Sequence, residues 1–158
     1  MSRTRSEYRL APIVVDGDGF ALETKLLENE DREPLATLML AAYRDTIDDE
    51  GEVLDDAREA IDHYLAHAIR SHSFVAVEQG APVAFSFVVV VDDLHYIDPV
   101  VVSPTHQGQG LGRAAVRCSL RSLAASGVTE VGATITDGNV PSERLFARLG
   151  FVRVGAWG

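Results

Sequence analysis

Apolar positions along the chain change period several times, and each change marks an element. Leu35, Leu38, Met39 and Ala42 recur at three-and-four spacing, with Pro34 in the first turn, where a missing N–H costs nothing. They predict a helix over about residues 32–44. Ala57, Ile61, Leu65 and Ala68, with Ile69, form a second stripe and predict a helix over about 53–70. The pattern then becomes that of strands: 73–78 and 82–91, joined at Gln79-Gly80, then 94–102 after a turn at Asp92-Asp93. A helix over about 110–126, a strand over 128–136, a short helix over 141–149 and a strand from Phe151 follow. Ahead of all these, 8–15 and 20–27 are short β-like runs flanking Asp16-Gly17-Asp18-Gly19, a hairpin signal. Residues 1–19 read as an N-terminal extension carrying an extra strand.

Composition narrows the setting. At 158 residues the chain is expected to form one domain large enough for its own core. An apolar share of 46% against 24% charged residues is ordinary for a globular protein and argues against disorder. The basic N-terminus lacks the apolar stretch of a secretory signal, and the longest apolar run, 85–91, is too short to span a bilayer. A single cysteine, Cys118, forbids an internal disulfide and suits a reducing cytoplasm, the expected location. The net charge of −10 argues against nucleic-acid or anionic-membrane partners, which need Lys and Arg to neutralise phosphates.

The chemistry concentrates in residues 98–113, DPVVVSPTHQGQGLGR. A β-branched run stops at Ser103-Pro104; Gly108, Gly110 and Gly112 then alternate into the start of a helix. Strand, glycine-rich turn and helix N-terminus together make an anion cradle, because backbone N–H groups and the positive end of the helix dipole face the ligand. A P-loop is excluded, since no Gly-Lys pair occurs anywhere in the chain. A dinucleotide fingerprint fits poorly: the third glycine arrives one position early, and Arg113 fills its slot. Arg113, Arg117 and Arg121 recur every four residues and form one stripe, either a solvated face or a phosphate contact, with Arg113 nearest the helix start.

Gln107 to Gly112 match Gln-x-x-Gly-x-Gly without a gap, preceded by Val100-x-Val102-x-Pro104. Further on stands Asn139-x-x-Ser142-x-x-Leu145-Phe146-x-x-x-Gly150-Phe151. In order and spacing the two segments resemble the acyl-CoA-binding motif and the later Asn…Leu-Gly-Phe motif of the GNAT superfamily of N-acetyltransferases. The resemblance covers about residues 20–158, the first half by architecture more than by motif. It implies a single GNAT-like domain of α/β (α+β) class, with a mixed, mostly antiparallel central sheet of six to seven strands and helices on both faces. It also implies acetyl-CoA as cosubstrate, no metal, and an amine acceptor. The backbone of Val100, Val101 and Val102 is implied to pair with the pantetheine arm. Gln107, Gly108, Gln109, Gly110, Leu111, Gly112 and Arg113 are implied to hold the diphosphate, with Asn139 and Phe146 completing the cofactor side. The chain stops at Gly158, so the family's usual final strand is short or missing. The N-terminal strand or a second subunit would cap that edge, in a monomer or a homodimer.

Such a transfer needs a base, because alkyl amines with a pKa of about 10.4 are protonated at neutral pH. Asp98 is the first candidate, expected on the same pleat face as Tyr96, Val100 and Val102; it can equally cap the bend at Pro99 or face solvent. Tyr96 and His95 are candidates for a water relay. The family commonly places a tyrosine, its general acid, where this chain has Phe146. Ser142 or a water can substitute, and thiolate is already a fair leaving group. The alternative is a non-catalytic acyl-CoA-binding regulatory module.

Nine carboxylates (45, 48, 49, 50, 52, 55, 56, 59 and 62) crowd the connection between the first two helices against one cation, Arg58. They are either a solvated face or an acidic rim drawing in a small cationic or peptide amine, with Tyr43 lining its pocket. His63 and His67 share a helix face, but no Glu sits in an HExxH frame, so surface histidines are expected. Cys118 falls with Leu111, Ala114 and Ala115 and is expected in the core.

Overall fold

The structure is a computed structural model describing residues 3–15 and 23–158. Its strands are β1 (Arg5–Leu10), β2 (Glu23–Leu26), β3 (Phe74–Glu78), β4 (Ala81–Val91), β5 (Leu94–Val102), β6 (Val131–Thr136) and β7 (Val152–Trp157). Its α-helices are α1 (Arg32–Tyr43), α2 (Leu54–His67), α3 (Leu111–Ala125) and α4 (Val140–Arg148). The strands form one sheet in the order β2-β3-β4-β5-β6-β1-β7, so the expected mixed sheet is present with seven strands. Among the described residues β5 and β6 pair in parallel and the other neighbours antiparallel.

Both faces are covered. On one, Leu35, Met39 and Ile61 of α1 and α2 pack on Val75, Phe85, Phe87 and Val101, with the two phenylalanine rings stacked 4.3 Å apart. On the other, Val116, Leu120 and Leu123 of α3 and Phe146 of α4 pack on Val88, Ile97, Val131 and Ile135. Central β4 is therefore buried without a break from Val83 to Val88, which explains why its sequence does not alternate. Within it Ser86 shares a 3.0 Å hydrogen bond with Ser119, whose hydroxyl also reaches the His72 carbonyl at 2.7 Å. The turns Gln79-Gly80 and Asp92-Asp93 have positive φ at all four residues, the geometry that matches strand twist in a two-residue hairpin.

Three expectations need correction. The 8–15 and 20–27 runs are not a hairpin: β1 lies between β6 and β7, antiparallel to both, while β2 pairs with β3 at the far edge. The tip, Asp16 to Gly19, lies outside the described residues. Alternation specifies a strand but not its partner, and β1 finds two partners far away in sequence. The strand predicted over 128–136 begins only at Val131, because the Val128 N–H returns to the Leu123 carbonyl and, with Gly127 at φ +85°, closes the end of α3. Cys118 is only half-buried; its neighbour Ser119 is fully buried, because the sheet-facing stripe of α3 runs through residues 112, 115, 116, 119, 120 and 123.

The feature that makes a site is a divergence. β5 and β6 pair only from His95–Val131 to Ile97–Ala133. Against β4, Ser86 pairs with Val100 and Val88 with Ile97, so Asp98 and Pro99 together face one residue, Phe87, in a bulge. Pro99 has no N–H to offer β6. Beyond this point the two strands separate and leave an opening in the sheet.

Candidate active site

The opening is a cleft of about 1050 Å³. Its walls are the freed ends of β5 and β6, the loop 106–110, the first turn of α3, one side of α4 and the end of α1. A smaller space of about 430 Å³ adjoins it; Arg5, Tyr43, Asp48, Asp98 and Thr136 line both, while Arg3, Glu50 and Tyr64 line only the smaller. Asp98 thus stands where a cofactor-sized groove meets a second compartment.

The groove is built from backbone. Gly108 and Gly110 have φ of +79° and +76°, where a side chain would strain the chain, and Gly110 precedes the first residue of α3. Gly112 has another reason: a Cβ there would lie 2.9 Å from Leu145 Cδ1 and 3.2 Å from Val102 Cγ2, so its absence lets α3, α4 and β5 close up. The first intrahelical bond runs from the Ala114 N–H to the Gly110 carbonyl, which leaves the amides of Leu111, Gly112 and Arg113 aimed out of the helix end. On its open side β5 has no strand partner from Asp98 to Val102, so an extended arm can take the ladder positions that β6 vacates. Gln107, Gly108, Gln109, Leu111 and Arg113 line the groove; Arg117 and Arg121 do not, and all three arginines are half-buried rather than an exposed stripe. These residues fit a diphosphate on a pantetheine-type arm.

Asn139 caps α4, its Oδ1 accepting the Ser142 N–H at 3.3 Å, and its Nδ2 donates to Asp48 Oδ2 at 3.2 Å. The Thr136 hydroxyl donates to the other Asp48 oxygen at 2.7 Å. Asp48 thereby ties the α1–α2 connection to both the end of β6 and the start of α4, a role its sequence context gave no sign of. Ser142 lines the groove; Phe146, 5% exposed, also reaches it while packing edge-to-face on Phe151 at 5.0 Å.

Asp98 lines the cleft, but with an orientation different from the one expected. The bulge turns Val100 and Val102 towards α3, while Asp98 faces Tyr43 of α1 and Tyr64 of α2, so it does not share their face. Burial pushes its carboxyl above the usual carboxylate value; Arg5, His63 and the Tyr64 hydroxyl act in the opposite direction. Burial, then the Asp98 charge, raises both phenols, so Tyr43 and Tyr64 stay protonated as donors. Tyr96 lies away from the cleft. Its ring crosses Gly132, its hydroxyl donates to Glu7 at 2.9 Å, and Trp157 packs against it at 5.4 Å, so it clamps β5 to β6, β1 and β7.

The acidic segment also reads differently in three dimensions. Of the nine carboxylates, Asp48 and Glu50 line the smaller compartment. Asp49 accepts the backbone N–H groups of Asp45 and Gly51, Asp56 that of Val53, while Asp55 and Asp62 pair with Arg58 and Arg32. With Glu52, which accepts the Glu50 N–H at 3.0 Å, five of the nine are taken up by backbone caps and ion pairs instead of rimming a pocket. The His63 and His67 rings lie 4.6 Å apart, tilted by 47°, and no group of three potential metal ligands occurs among the described residues. No helix among them is long and apolar enough to cross a membrane.

Comparison with known proteins agrees with this architecture. The Acetyltransferase (GNAT) family matches residues 30–151. The chain belongs to that family. Solved structures of similar fold include a GCN5-related N-acetyltransferase from Sphaerobacter thermophilus, 15% identical with a TM-score of 0.70, aligned over 98% of this chain and 49% of that one. A GNAT-family acetyltransferase from Colwellia psychrerythraea is 14% identical with a TM-score of 0.75, over 98% of this chain and 54% of that one. The ribosomal-protein-S18-alanine N-acetyltransferase from Escherichia coli is 21% identical with a TM-score of 0.67, over 84% and 78%. The chain spans about half the length of the first two. Comparison with curated proteins finds no match. The GNAT assignment covers both the glycine loop and the α4 segment, and it leaves β1, with Arg5, outside the matched residues.

Proposed function

We propose that this GNAT domain is an acetyl-CoA-dependent N-acetyltransferase acting by direct transfer in a ternary complex. The observation that carries this is the position of Asp98, at the junction of a backbone-lined groove and a second compartment. The amides of residues 111–113 and Arg113 hold the diphosphate, and the unpaired edge of β5 at Val100 to Val102 aligns the pantetheine arm. An amine entering through the smaller compartment gives a proton to Asp98, directly or through water, and its nitrogen attacks the thioester carbonyl. The C–S bond breaks and the thiolate leaves. The raised carboxyl suits the task, since a base is more effective as its pKa approaches the working pH. Phe146 cannot donate a proton. The protonated hydroxyls at hand are Tyr43 and Ser142, both lining the groove.

Phe146 also motivates a second reading, a regulatory module that binds acyl-CoA without turnover. Incubation with acetyl-CoA and a panel of amines, following free thiol, separates the two. Transfer predicts thiol release with at least one amine and its loss in Asp98→Asn; tight binding with no release from any amine supports the module.

A further inference from the structure

Arg5 is an anomaly in the cleft. It is the first residue of β1, half-buried, and it lines both compartments beside Asp98. One terminal nitrogen donates to the Thr134 carbonyl at 3.0 Å; its Nε is buried with no partner, and Arg5 forms no ion pair among the described residues. A guanidinium nitrogen buried without a partner is costly, and such a group in a cleft marks a place where a ligand can supply the missing acceptor. Its surroundings specify the ligand further. Arg3, across the smaller compartment, is already paired with Glu50 at 3.4 Å. Asp48 is held by Thr136 and Asn139, and Asp98 lies towards Tyr64 and Tyr43. The compartment therefore sets a cation near a carboxylate with neither ion-paired at contact distance: Arg5 bonds the Thr134 carbonyl and Asp98 the Tyr64 hydroxyl.

We infer that the acceptor is a small molecule carrying both an amine and a carboxylate, with Arg5 binding the carboxylate while Asp98 receives the amine. The inference rests on the transfer reading and sharpens it from amines in general to amino-carboxylates. A phosphate fits less well, because a dianion entering here meets Asp48, Glu50 and Asp98 against a single free guanidinium. A plain cationic amine leaves Arg5 unmatched and places two cations together.

Three compounds test this: an amino acid, its primary amide, and the amine lacking the carboxyl. Thiol release gives kcat and KM for each, and calorimetry gives binding of each to protein saturated with CoA. The wild-type chain is expected to favour the acid over the amide, mainly in KM. In Arg5→Met that preference falls by at least about tenfold, the value of a charge-assisted hydrogen-bonded pair. Arg5→Lys, which keeps the charge but loses the planar fork, restores part of it. CoA binding by each variant reports that it is folded. Equal use of acid and amide by the wild type, or an unchanged ratio in Arg5→Met, overturns the inference while leaving transfer in place. Arg5-dependent binding of the acid without thiol release from any amine upholds the amino-carboxylate site and overturns transfer. Neither binding nor release overturns both.

Discussion

The two halves of the cleft are made differently. The half proposed for the cofactor is main chain: consecutive amides at the start of α3, two glycines with positive φ, and the edge of β5 that β6 leaves. The half proposed for the acceptor is side chains: Arg5 from β1, Tyr43 from α1, Asp48 from a turn, Tyr64 from α2 and Asp98 from the bulge. A backbone site tolerates many sequences around its glycines and takes the same ligand in each. A side-chain site is rebuilt by a few substitutions. The contrast separates a half that should tolerate substitution from one that should not, and it can be tested from either side.

The largest effect is expected at Gly110→Glu. The position has φ +76° and nothing within 4 Å of an added Cβ, so the protein has room for the side chain. The cost is backbone strain together with a carboxylate at the anion cradle, and acetyl-CoA affinity should fall by about a hundredfold or more. Near-normal binding in calorimetry would break the backbone account of the cofactor half. Asp98→Asn should lower kcat/KM by about 10²–10⁴ while carrier affinity persists. The same variant should be more stable than the wild type near neutral pH. Because burial raises the Asp98 carboxyl, the native state holds its proton longer than the unfolded chain does. Its stabilising contribution is full below the unfolded value of about 3.9 and is lost as pH rises through the raised native value. Denaturation at acid and neutral pH should therefore show an Asn advantage that vanishes in acid; an Asn variant less stable at both would contradict the burial account.

Gly132→Ala sharpens the boundary between sheet and site. Its Cβ would stand 2.6 Å from a Tyr96 ring that Glu7 and Trp157 pin, so a loss of about 1–3 kcal/mol is expected in a denaturant titration. If carrier affinity collapses instead, Tyr96 belongs to the cleft after all. The smallest effect concerns salt. With most of the acidic segment committed to capping and ion pairs, the acceptor KM should change by less than about threefold between roughly 50 and 200 mM salt. A steep rise would restore the acidic rim.

The residues that were legible in the sequence share one property: their meaning is local. Gly108, Gly110 and the start of α3 follow from spacing along a few positions, and the stripes of α1 and α2 follow from helical period. Asp98 was legible as a candidate, but not its direction, because the bulge that turns it exists only in the register between β5 and β4. Tyr96 looked equivalent to Asp98 by alternation, yet a glycine on the neighbouring strand lets it lie flat as a clamp. Arg5, Asp48 and Tyr64 carried no signal, since each acquires its role from residues 34 to 129 positions away in the chain.

By itself, then, the sequence determined where the glycine turn and the helix start lie and which strand leads into them, because glycine torsions and helix termini depend on neighbours in the chain. Tertiary structure alone decided where β5 and β6 part, which carboxylate faces the opening and that a guanidinium from β1 stands beside it. Strand partners are chosen by burial and hydrogen bonding across the whole sheet, and no short window of residues contains that choice.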